Sequence, residues 1–421
     1  MKVHQFRISN FEVRNWIFAV LLFAVAPLGV GGNPVPEVLT EIDRIVRARF
    51  WDPNLKGADW NAAVRRASAE LADARSEAER NLVFDRLLET LGDSHTFRLP
   101  PGFPERNWGT AGLRIGQDGD GYAVKGVLPG TAAAREGMKL GDRVLAVNEK
   151  RYGKERVNFR DLFLILEGVA GSKVHVTWQP SGGADVRTSH LTLSREEPGD
   201  TLVWKSARVI RRNGRAYGYA RLWGFSAETA LAVVDLLLDR VETGHVKPEL
   251  SGWAEIQGFL LDLRANSGGY DPNILATFLR GCWSAGDYYL RSREGRRLVP
   301  PVYSPLPVVL LVNSATASAG EALALKFRAH GIGAIVGETT AGMASGGATA
   351  EKLPDGSMLW ISSRALEDLE GRSYEGRGVA PDLSVADRSP AAAGEEEAIV
   401  EAGLKALTSR EAVEPRYSPS R

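Results

Sequence analysis

Three apolar runs in the second half of the chain constrain its fold more than any other feature. They are "GFLLDLR" at residues 258–264, "PVVLLVN" at 307–313 and "GAIVGE" at 333–338. Each has the length of a strand, and such continuous apolar strands are typical of a parallel sheet covered by helices on both faces. Since stretches with helical spacing lie beside these runs, residues 198–388 are predicted to form an α/β domain.

The region before this domain divides into a helical part and a β-rich part. Residues 33–97 are predicted to be helical, because their apolar residues recur at intervals of three and four. Residues 98–197 alternate short strands with turns, which predicts a β-rich domain. It would contain a short helix at Ala132–Glu136 and a second helix at "FRDLFLILEGV", residues 159–169. Residues 389–421 are predicted to hold a terminal helix and a disordered tail. The predicted fold class is therefore α/β, with a helical lead-in and a β-rich domain.

The first 32 residues differ from the rest of the chain. Three basic residues, Lys2, Arg7 and Arg14, precede an uncharged apolar run at 17–30. About 14 residues is the length of a signal-peptide core and is short for a membrane span. We interpret residues 1–32 as an export signal or an uncleaved membrane anchor, with a buried helix as the alternative. Export would place the protein in the periplasm or outside the cell.

Charge and cysteine content exclude several classes of function. The 52 Lys and Arg residues balance the 52 Asp and Glu residues, so no basic excess indicates nucleic-acid binding. The one cysteine, Cys282, cannot form an internal disulfide, and we expect it to be a small buried residue. No Cys/His cluster has metal-ligand spacing. We therefore expect no metal, no cofactor and no nucleic-acid partner.

A serine opens the helix that follows the second apolar run. In "VNSATASAGEA", Ser318 is predicted to lie where backbone N–H groups and the helix dipole favour a developing negative charge. Ser318 could equally be a helix cap, because Ser318 and Glu321 have capping-box spacing. The loop after the first run contains Gly268 and Gly269, and neighbouring parallel strands end at the same edge of a sheet. A glycine N–H and the Ala319 N–H could form an oxyanion hole, although a Gly-Gly pair alone usually marks a turn.

One histidine stands between a helical run and a proline-rich exit, in "LGDSHT" at residues 91–96. His95 could be a structural residue at the end of a helix. It could also be a general base for a distant serine, since an unperturbed imidazole titrates at about pH 6.5. This stretch by itself favours neither role.

Five segments together resemble the S41 peptidase family, which includes carboxyl-terminal processing proteases and tricorn-like proteases. In chain order they are "LGDSHT", "GLRIGQDGDGYAVKGVLPGTAAAREGMKLGDRVLAVN", "LLDLRANSGG", "VNSATASAGEA" and "YEGRGVAPD". The resemblance covers roughly residues 35–388. It implies a PDZ domain at 98–197 and a catalytic domain of the ClpP/crotonase type at 198–388. It also implies that Ser318 is the nucleophile, beside the oxyanion donors described above.

The catalytic base separates two branches of this family. One branch pairs the serine with a lysine, but Met343 stands where that lysine belongs. The other branch is similar to tricorn and uses serine, histidine and glutamate with a second serine. The resemblance therefore implies His95 as the base, with Ser94 linking it to Glu375. Two nearby glutamates are the alternative carboxylates: Glu367 and Glu370.

The segment "GTAGLRI" resembles the carboxylate-binding loop of a PDZ domain, in which backbone N–H groups hold the terminal carboxylate of a peptide. The loop and its edge strand would comprise four residues: Gly112, Leu113, Arg114 and Ile115. Arg114 could assist with the carboxylate or point to solvent. The alternative is a plain β-domain that covers the active site.

The predicted function is an exported serine endopeptidase that cleaves extended peptides or unfolded proteins, recognised by their C-termini, through a Ser-His-Glu mechanism. Its partners would be peptide substrates, a membrane bound through residues 17–30, and further copies of the chain in a homo-oligomer. A catalytically silent peptide- or ligand-binding protein on the same fold is the alternative. An esterase with the same triad is a third interpretation.

Overall fold

The computed structural model describes most of the chain between residues 35 and 408. The described residues are 35–101, 108–238, 250, 252–269, 272, 275, 279, 289–292, 295–298, 306–368, 370–388 and 397–408. Three predictions lie outside this set: the leader at 1–32, Cys282 and the tail after 408.

The helices lie mostly where the apolar spacing predicts them; the exceptions are Gly199–Ser206, for which no helix is predicted, and the segment at 159–169. In chain order they are α1 Val35–Arg49, α2 Trp60–Asp73, α3 Glu77–Glu89, α4 Ala132–Arg135, α5 Phe159–Leu162, α6 Gly199–Ser206, α7 Ala227–Leu238, α8 Ala319–His330 and α9 Ala398–Thr408. Polar side chains cap several of them, including α2 and α3. The Asp59 carboxylate accepts from Ala62 N–H at 2.9 Å, and Ser76 with Glu79 forms a capping box.

The strands form one parallel sheet and several antiparallel ones. In chain order they are β1 Phe97–Leu99, β2 Trp108–Thr110, β3 Leu113–Asp118, β4 Gly121–Val127, β5 Arg143–Val147, β6 Lys150–Arg151, β7 Glu167–Val169, β8 Lys173–Gln179, β9 Arg187–Thr192, β10 Arg208–Arg212, β11 Arg215–Arg221, β12 Ile256–Asp262, β13 Tyr289–Ser292, β14 Gly295–Leu298, β15 Val308–Val312, β16 Ile335–Gly337, β17 Ser345–Gly346, β18 Thr349–Lys352, β19 Met358–Ile361, β20 Arg364–Ala365 and β21 Leu383–Ser384.

The three apolar runs form the centre of the parallel sheet, as β12, β15 and β16. Strand order is β10-β11-β12-β15-β16-β21, and each pair is parallel except β10 with β11. Alternate strand residues face opposite layers. Phe259 and Leu261 pack with α7 and α8, whereas Leu260 packs with α9. Both faces are covered, which is why these strands lack polar alternation and why the α/β prediction is confirmed.

The N-terminal helices pack against strands from the far end of the chain. β1 pairs with β19, and β19 pairs with β18, in a three-stranded antiparallel sheet. The buried core of α1–α3 includes Leu353, Leu359 and Ile361. This packing fixes the position of the residues between α3 and β1, which contain His95.

The β-rich region is built around an antiparallel sheet with the order β3-β4-β5-β8-β9. Its buried core also contains Ala317 and Met343 from the α/β region. Lys125 on β4 donates to both carboxylate oxygens of Glu338 at 3.0 and 3.1 Å. The β-rich region and the loops around Ser318 therefore share one packed interface.

The helix predicted at residues 159–169 is wrong over most of its length. Only Phe159–Leu162 is α-helical; a 3-10 turn covers Leu164–Leu166, and Glu167–Val169 is strand β7, paired with β2. The apolar spacing that predicted a helix places side chains in the β-rich core. The carbonyl of Leu166, however, accepts the N–H of Ala111 at 2.9 Å, so tertiary pairing overrides the local helical pattern.

No helix in the described part of the chain is both long and apolar enough to cross a membrane. Within the same residues, His, Cys, Asp and Glu side chains nowhere form a group of three that could hold a metal ion.

Candidate active site

Ser318 lies at the junction between β15 and α8, in a strained backbone conformation. Its φ is 54° and its ψ is −117°, a region that residues other than glycine rarely adopt. Two contacts hold it there: Ser318 N–H lies 3.1 Å from Met343 O and 3.2 Å from Glu321 Oε2. The N–H of Ser318 therefore makes the capping-type bond to Glu321, while its hydroxyl points towards His95.

His95 lies between Ser318 and Ser94. Its Nε2 is 3.2 Å from Ser318 Oγ, and its Nδ1 is 2.8 Å from Ser94 Oγ. The imidazole stacks on Phe159 of α5, with ring centroids 4.8 Å apart. Burial lowers the pKa of His95 to about 4, although the negative charge of Asp93 acts in the opposite direction. The imidazole is therefore neutral at pH 7, as a proton acceptor must be.

Glu375 completes this line of contacts from 281 residues further along the chain. Ser94 Oγ donates to Glu375 Oε2 at 3.0 Å, and Ser94 N–H donates to Oε1 at 2.8 Å. Two more N–H groups, from Ala344 and Ser345, hold Oε2 at 2.8 and 2.7 Å. Burial and the nearby Asp93 raise the pKa of Glu375, while these N–H donors oppose the increase.

The direction of these hydrogen bonds determines the tautomer of His95. Because the single proton of Ser94 Oγ goes to Glu375, Ser94 can only accept from His95 Nδ1. The Nδ1 atom therefore carries the proton, and Nε2 offers a lone pair to Ser318 Oγ. The alternative carboxylates, Glu367 and Glu370, make no contact with Ser94 or His95 among the described residues, and Glu370 pairs with Arg372 at 2.9 Å.

The predicted oxyanion donors lie around Ser318, but they differ from one another. A Cβ atom on Gly268 would lie 2.5 Å from Ser318 Cβ, so the glycine permits this close approach. Gly268 N–H already donates to Asn266 Oδ1 at 2.9 Å. Within the described residues the Ala319 N–H has no acceptor, and Gly269 follows Gly268 in the same loop with a φ of 126°. The Ala319 N–H is therefore better placed to donate than the Gly268 N–H.

Met343 contributes its backbone rather than its side chain to the site. Its N–H donates to Glu321 Oε2 at 2.8 Å, and its side chain is buried in the β-rich core beside Ala317. Glu321 is fully buried and also accepts from Gly342 N–H at 2.8 Å and Thr340 Oγ at 2.6 Å. This carboxylate ties the Ser318 turn to the segment in which the family's lysine would stand.

The loop predicted to bind a peptide carboxylate is filled by the protein's own side chains. Gly112 N–H donates to Thr110 Oγ at 3.0 Å, and the Thr131 side chain lies against the Gly112 Cα. Leu113 and Ile115 are fully buried in the core. Arg114 is also buried, 3.6 Å from Glu167 and 3.9 Å from Glu196, so the interpretation that it points to solvent is wrong.

Sequence reasoning missed three polar residues around His95. Asp93 accepts from His95 N–H at 3.1 Å, and Ser345 Oγ lies 3.3 Å from His95 Nδ1. Ser362 donates to Asp93 at 2.6 Å. Asp93 could have been found from its place in "LGDSHT", whereas Ser345 and Ser362 follow no pattern that connects them to a histidine 250 residues or more away.

Comparisons with known proteins agree with this fold. The family description "Peptidase family S41" matches residues 216–385, and "Tricorn protease C1 domain" matches residues 35–89. Residues 216–385 therefore match a peptidase family S41 domain, as the landmark segments predicted. The PDZ domain and the domain boundaries stay predictions.

Two curated relatives and one solved structure illustrate the likeness. Tricorn protease homolog 1 of Streptomyces coelicolor is 28% identical over 418 residues, which cover 91% of this chain and 36% of the relative. The carboxyl-terminal-processing protease of Picosynechococcus sp. is 25% identical over 381 residues, or 86% of each chain. The photosystem II D1 C-terminal processing protease has a similar fold, with a TM-score of 0.56, 24% identity, and coverage of 84% of this chain and 94% of that one. The chain spans about a third of the length of the tricorn homologues it matches.

Proposed function

We propose that this protein is a serine endopeptidase that uses a Ser-His-Glu mechanism with a bridging serine. One observation carries the proposal: Ser318, His95, Ser94 and Glu375 form an unbroken series of polar contacts of 3.2, 2.8 and 3.0 Å. Ser318 Oγ attacks the scissile carbonyl carbon while His95 Nε2 takes its proton. His95 then returns that proton to the leaving amine, and a water molecule hydrolyses the acyl-enzyme by the same two steps.

Ser94 and Glu375 support the charged form of His95. When Nε2 accepts the Ser318 proton, the imidazolium donates through Nδ1 to Ser94, which donates to Glu375. The carboxylate lowers the energy of the imidazolium without itself taking a proton. Its backbone donors favour the ionised form of Glu375 during this step.

The oxyanion of the tetrahedral intermediate would be held by backbone N–H groups. Ala319 N–H opens α8, so the helix dipole adds to its effect. We propose Gly269 as the second donor, because Gly268 N–H is engaged by Asn266. The close approach of Gly268 to Ser318 brings this loop within reach of the same oxygen atom.

The substrates we propose are extended peptides or unfolded proteins, and selection by the C-terminus is the finer part of the proposal. It is supported by the names of relatives that are carboxyl-terminal-processing peptidases. For a peptide carboxylate to bind at Gly112, the side chains of Thr110 and Thr131 would have to withdraw. Export, anchoring through residues 17–30 and homo-oligomer formation are proposed from the sequence.

Hydrolysis of an unfolded protein tests the function directly. The full chain should cleave casein into peptides with new N-termini, detected by mass spectrometry. Ser318→Ala, His95→Ala and Glu375→Gln should each lose this activity. Ser314→Ala should keep it, because Ser314 Oγ donates to Gln117 O on β3 and not to any residue of the proposed triad. Binding of casein without cleavage by the parent would overturn the proposal in favour of a silent binding protein. Hydrolysis of p-nitrophenyl acetate alone would favour an esterase.

A further inference from the structure

A second hydroxyl lies within reach of His95 Nδ1. Ser345 Oγ is 3.3 Å from Nδ1 and 3.2 Å from Ser94 Oγ. Ser345 is 2% exposed, so no solvent competes for these contacts. Its backbone N–H donates separately to Glu375 at 2.7 Å. The backbone N–H of Ser345 therefore holds Glu375, and the Ser345 hydroxyl does not take part in that contact.

A second carboxylate stands behind this hydroxyl. Ser362 Oγ lies 3.3 Å from Ser345 Oγ and donates to Asp93 Oδ1 at 2.6 Å. Thr96 Oγ, at 2.8 Å, and Trp51 Nε1, at 3.0 Å, fix the Asp93 carboxylate from other sides. Four of these polar side chains are buried to at least nine-tenths: Asp93, Thr96, Ser345 and Ser362. The arrangement mirrors the route from His95 through Ser94 to Glu375.

The geometry points to Ser345 as a positioning residue for His95, which with Ser94 forms a pair of hydroxyls around Nδ1. Glu375 stands behind the first hydroxyl and Asp93, through Ser362, behind the second. The inference rests on the proposed function, because its purpose is to orient and stabilise His95 during proton transfer. The shorter 2.8 Å contact makes Ser94 the principal partner. Ser345 limits rotation of the imidazole and takes over part of the hydrogen bond when Ser94 is absent.

Double-mutant kinetics test this role. We expect Ser345→Ala to lower kcat for casein peptides about tenfold with KM unchanged, the effect of one buried hydrogen bond. Because each hydroxyl compensates for the other, Ser94→Ala/Ser345→Ala should lose more than the product of the two single losses. Ser357→Ala is the matched control: Ser357 is buried but contacts Arg98 and Asp355, and should stay within twofold of the parent. A Ser345→Ala variant within twofold, with the double variant equal to Ser94→Ala, would overturn the inference.

Histidine-selective ¹⁵N NMR tests the same role without turnover. The chain has six histidines, so the His95 signals can be assigned with His95→Asn. Ser345→Ala should shift the Nδ1–H resonance and lower the pKa of His95, since it removes an acceptor for the imidazolium. The charged groups facing this ring among the described residues are Asp93 and Glu375, and both remain in the variant.

The two readouts separate the possible failures. If the parent cleaves nothing, the proposed function fails, and the NMR comparison alone decides whether Ser345 holds His95. Unchanged His95 signals in Ser345→Ala would then reject the positioning role. Should Ser345→Ala not fold, as judged by circular dichroism, Ser362→Ala replaces it, with a smaller shift in the same direction expected.

Discussion

At the scale of single residues, His95 differs from an ordinary histidine in its pKa. Burial lowers its pKa to about 4, and Ser318 can be deprotonated only while the imidazole is neutral. Acylation of Ser318 by a fluorophosphonate should therefore keep a constant rate from pH 7 to about pH 5 and fall towards pH 4. Labelling rates across this range, with the folded fraction followed by circular dichroism, measure the effect. An acid limb centred near 6.5, the ordinary value, would contradict the burial argument.

Glu321 gives a residue-scale prediction about stability. Burial raises its pKa from an ordinary 4.5 to about 7, so the folded state prefers the protonated form. Its contribution to stability is then complete below pH 4.5 and is lost as the pH rises through 7. Urea titrations at pH 5 and pH 8 should show a larger loss of unfolding free energy in the parent than in Glu321→Gln. An identical loss in both proteins would show that Glu321 does not titrate in this range.

The polar residues around His95 also mark the limit of prediction from sequence. The resemblance of short motifs to the S41 family indicates Ser318, His95, Ser94 and Glu375, and the structure brings these four into contact. Ser345 and Ser362 lie in short strands and turns whose residue types are ordinary for such places. Only the pairing of distant segments gives their hydroxyls a common neighbour, and a single sequence does not contain that pairing.

At the scale of elements, the site depends on how closely the loop after β12 approaches the start of α8. Gly268 has a φ of 87°, and a Cβ there would lie 2.5 Å from Ser318 Cβ. Gly268→Ala should displace Ser318, cost about 1–3 kcal/mol of backbone strain, and reduce fluorophosphonate labelling by at least about tenfold. Gly153→Ala is the control, since a Cβ at Gly153 meets nothing within 4 Å. Equal labelling of Gly268→Ala and Gly153→Ala would contradict the claim that the site needs the close approach of Gly268 to Ser318.

Periodicity predicted the elements that bury one consistent face. Helices α1–α3 and strands β12, β15 and β16 lie where apolar spacing indicated, because burial alone determines their conformation. The segment at 159–169 fits a helical pattern equally well, but its second half pairs with β2. Competition between a local and a non-local hydrogen-bonding partner is decided by tertiary packing, which apolar spacing does not encode.

At the scale of the whole molecule, the β-rich region and the α/β region are joined by a buried ion pair. Lys125 is 3% exposed and donates to Glu338, which also accepts from Ser314 N–H at 3.2 Å. Lys125→Met should lower the free energy of unfolding by about 3 kcal/mol, because it leaves the partly buried Glu338, 19% exposed, without its cation. Lys154→Met removes an exposed pair with Asp120 and should cost less than about 1 kcal/mol. Urea midpoints measure the loss of unfolding free energy in both variants. Equal losses would show that the Lys125–Glu338 pair does not stabilise the contact between the two regions.

At this scale, the sequence did not predict which distant segments of the chain pack together. The pairing of β1 with β19 and the burial of Met343 in the β-rich core link parts of the chain that no sequence period connects. The landmark segments nonetheless indicated the family whose domain matches residues 216–385, because the order of short motifs reflects the fold.

The most direct test of the proposed mechanism is the site and rate of fluorophosphonate labelling, read by mass spectrometry of the tryptic peptides. The parent and Ser314→Ala should carry the adduct on Ser318. Ser318→Ala should carry none, and His95→Ala should react at least about a hundredfold more slowly, as expected for loss of a general base. An adduct on a different serine, or an undiminished rate in His95→Ala, would contradict a serine activated by His95.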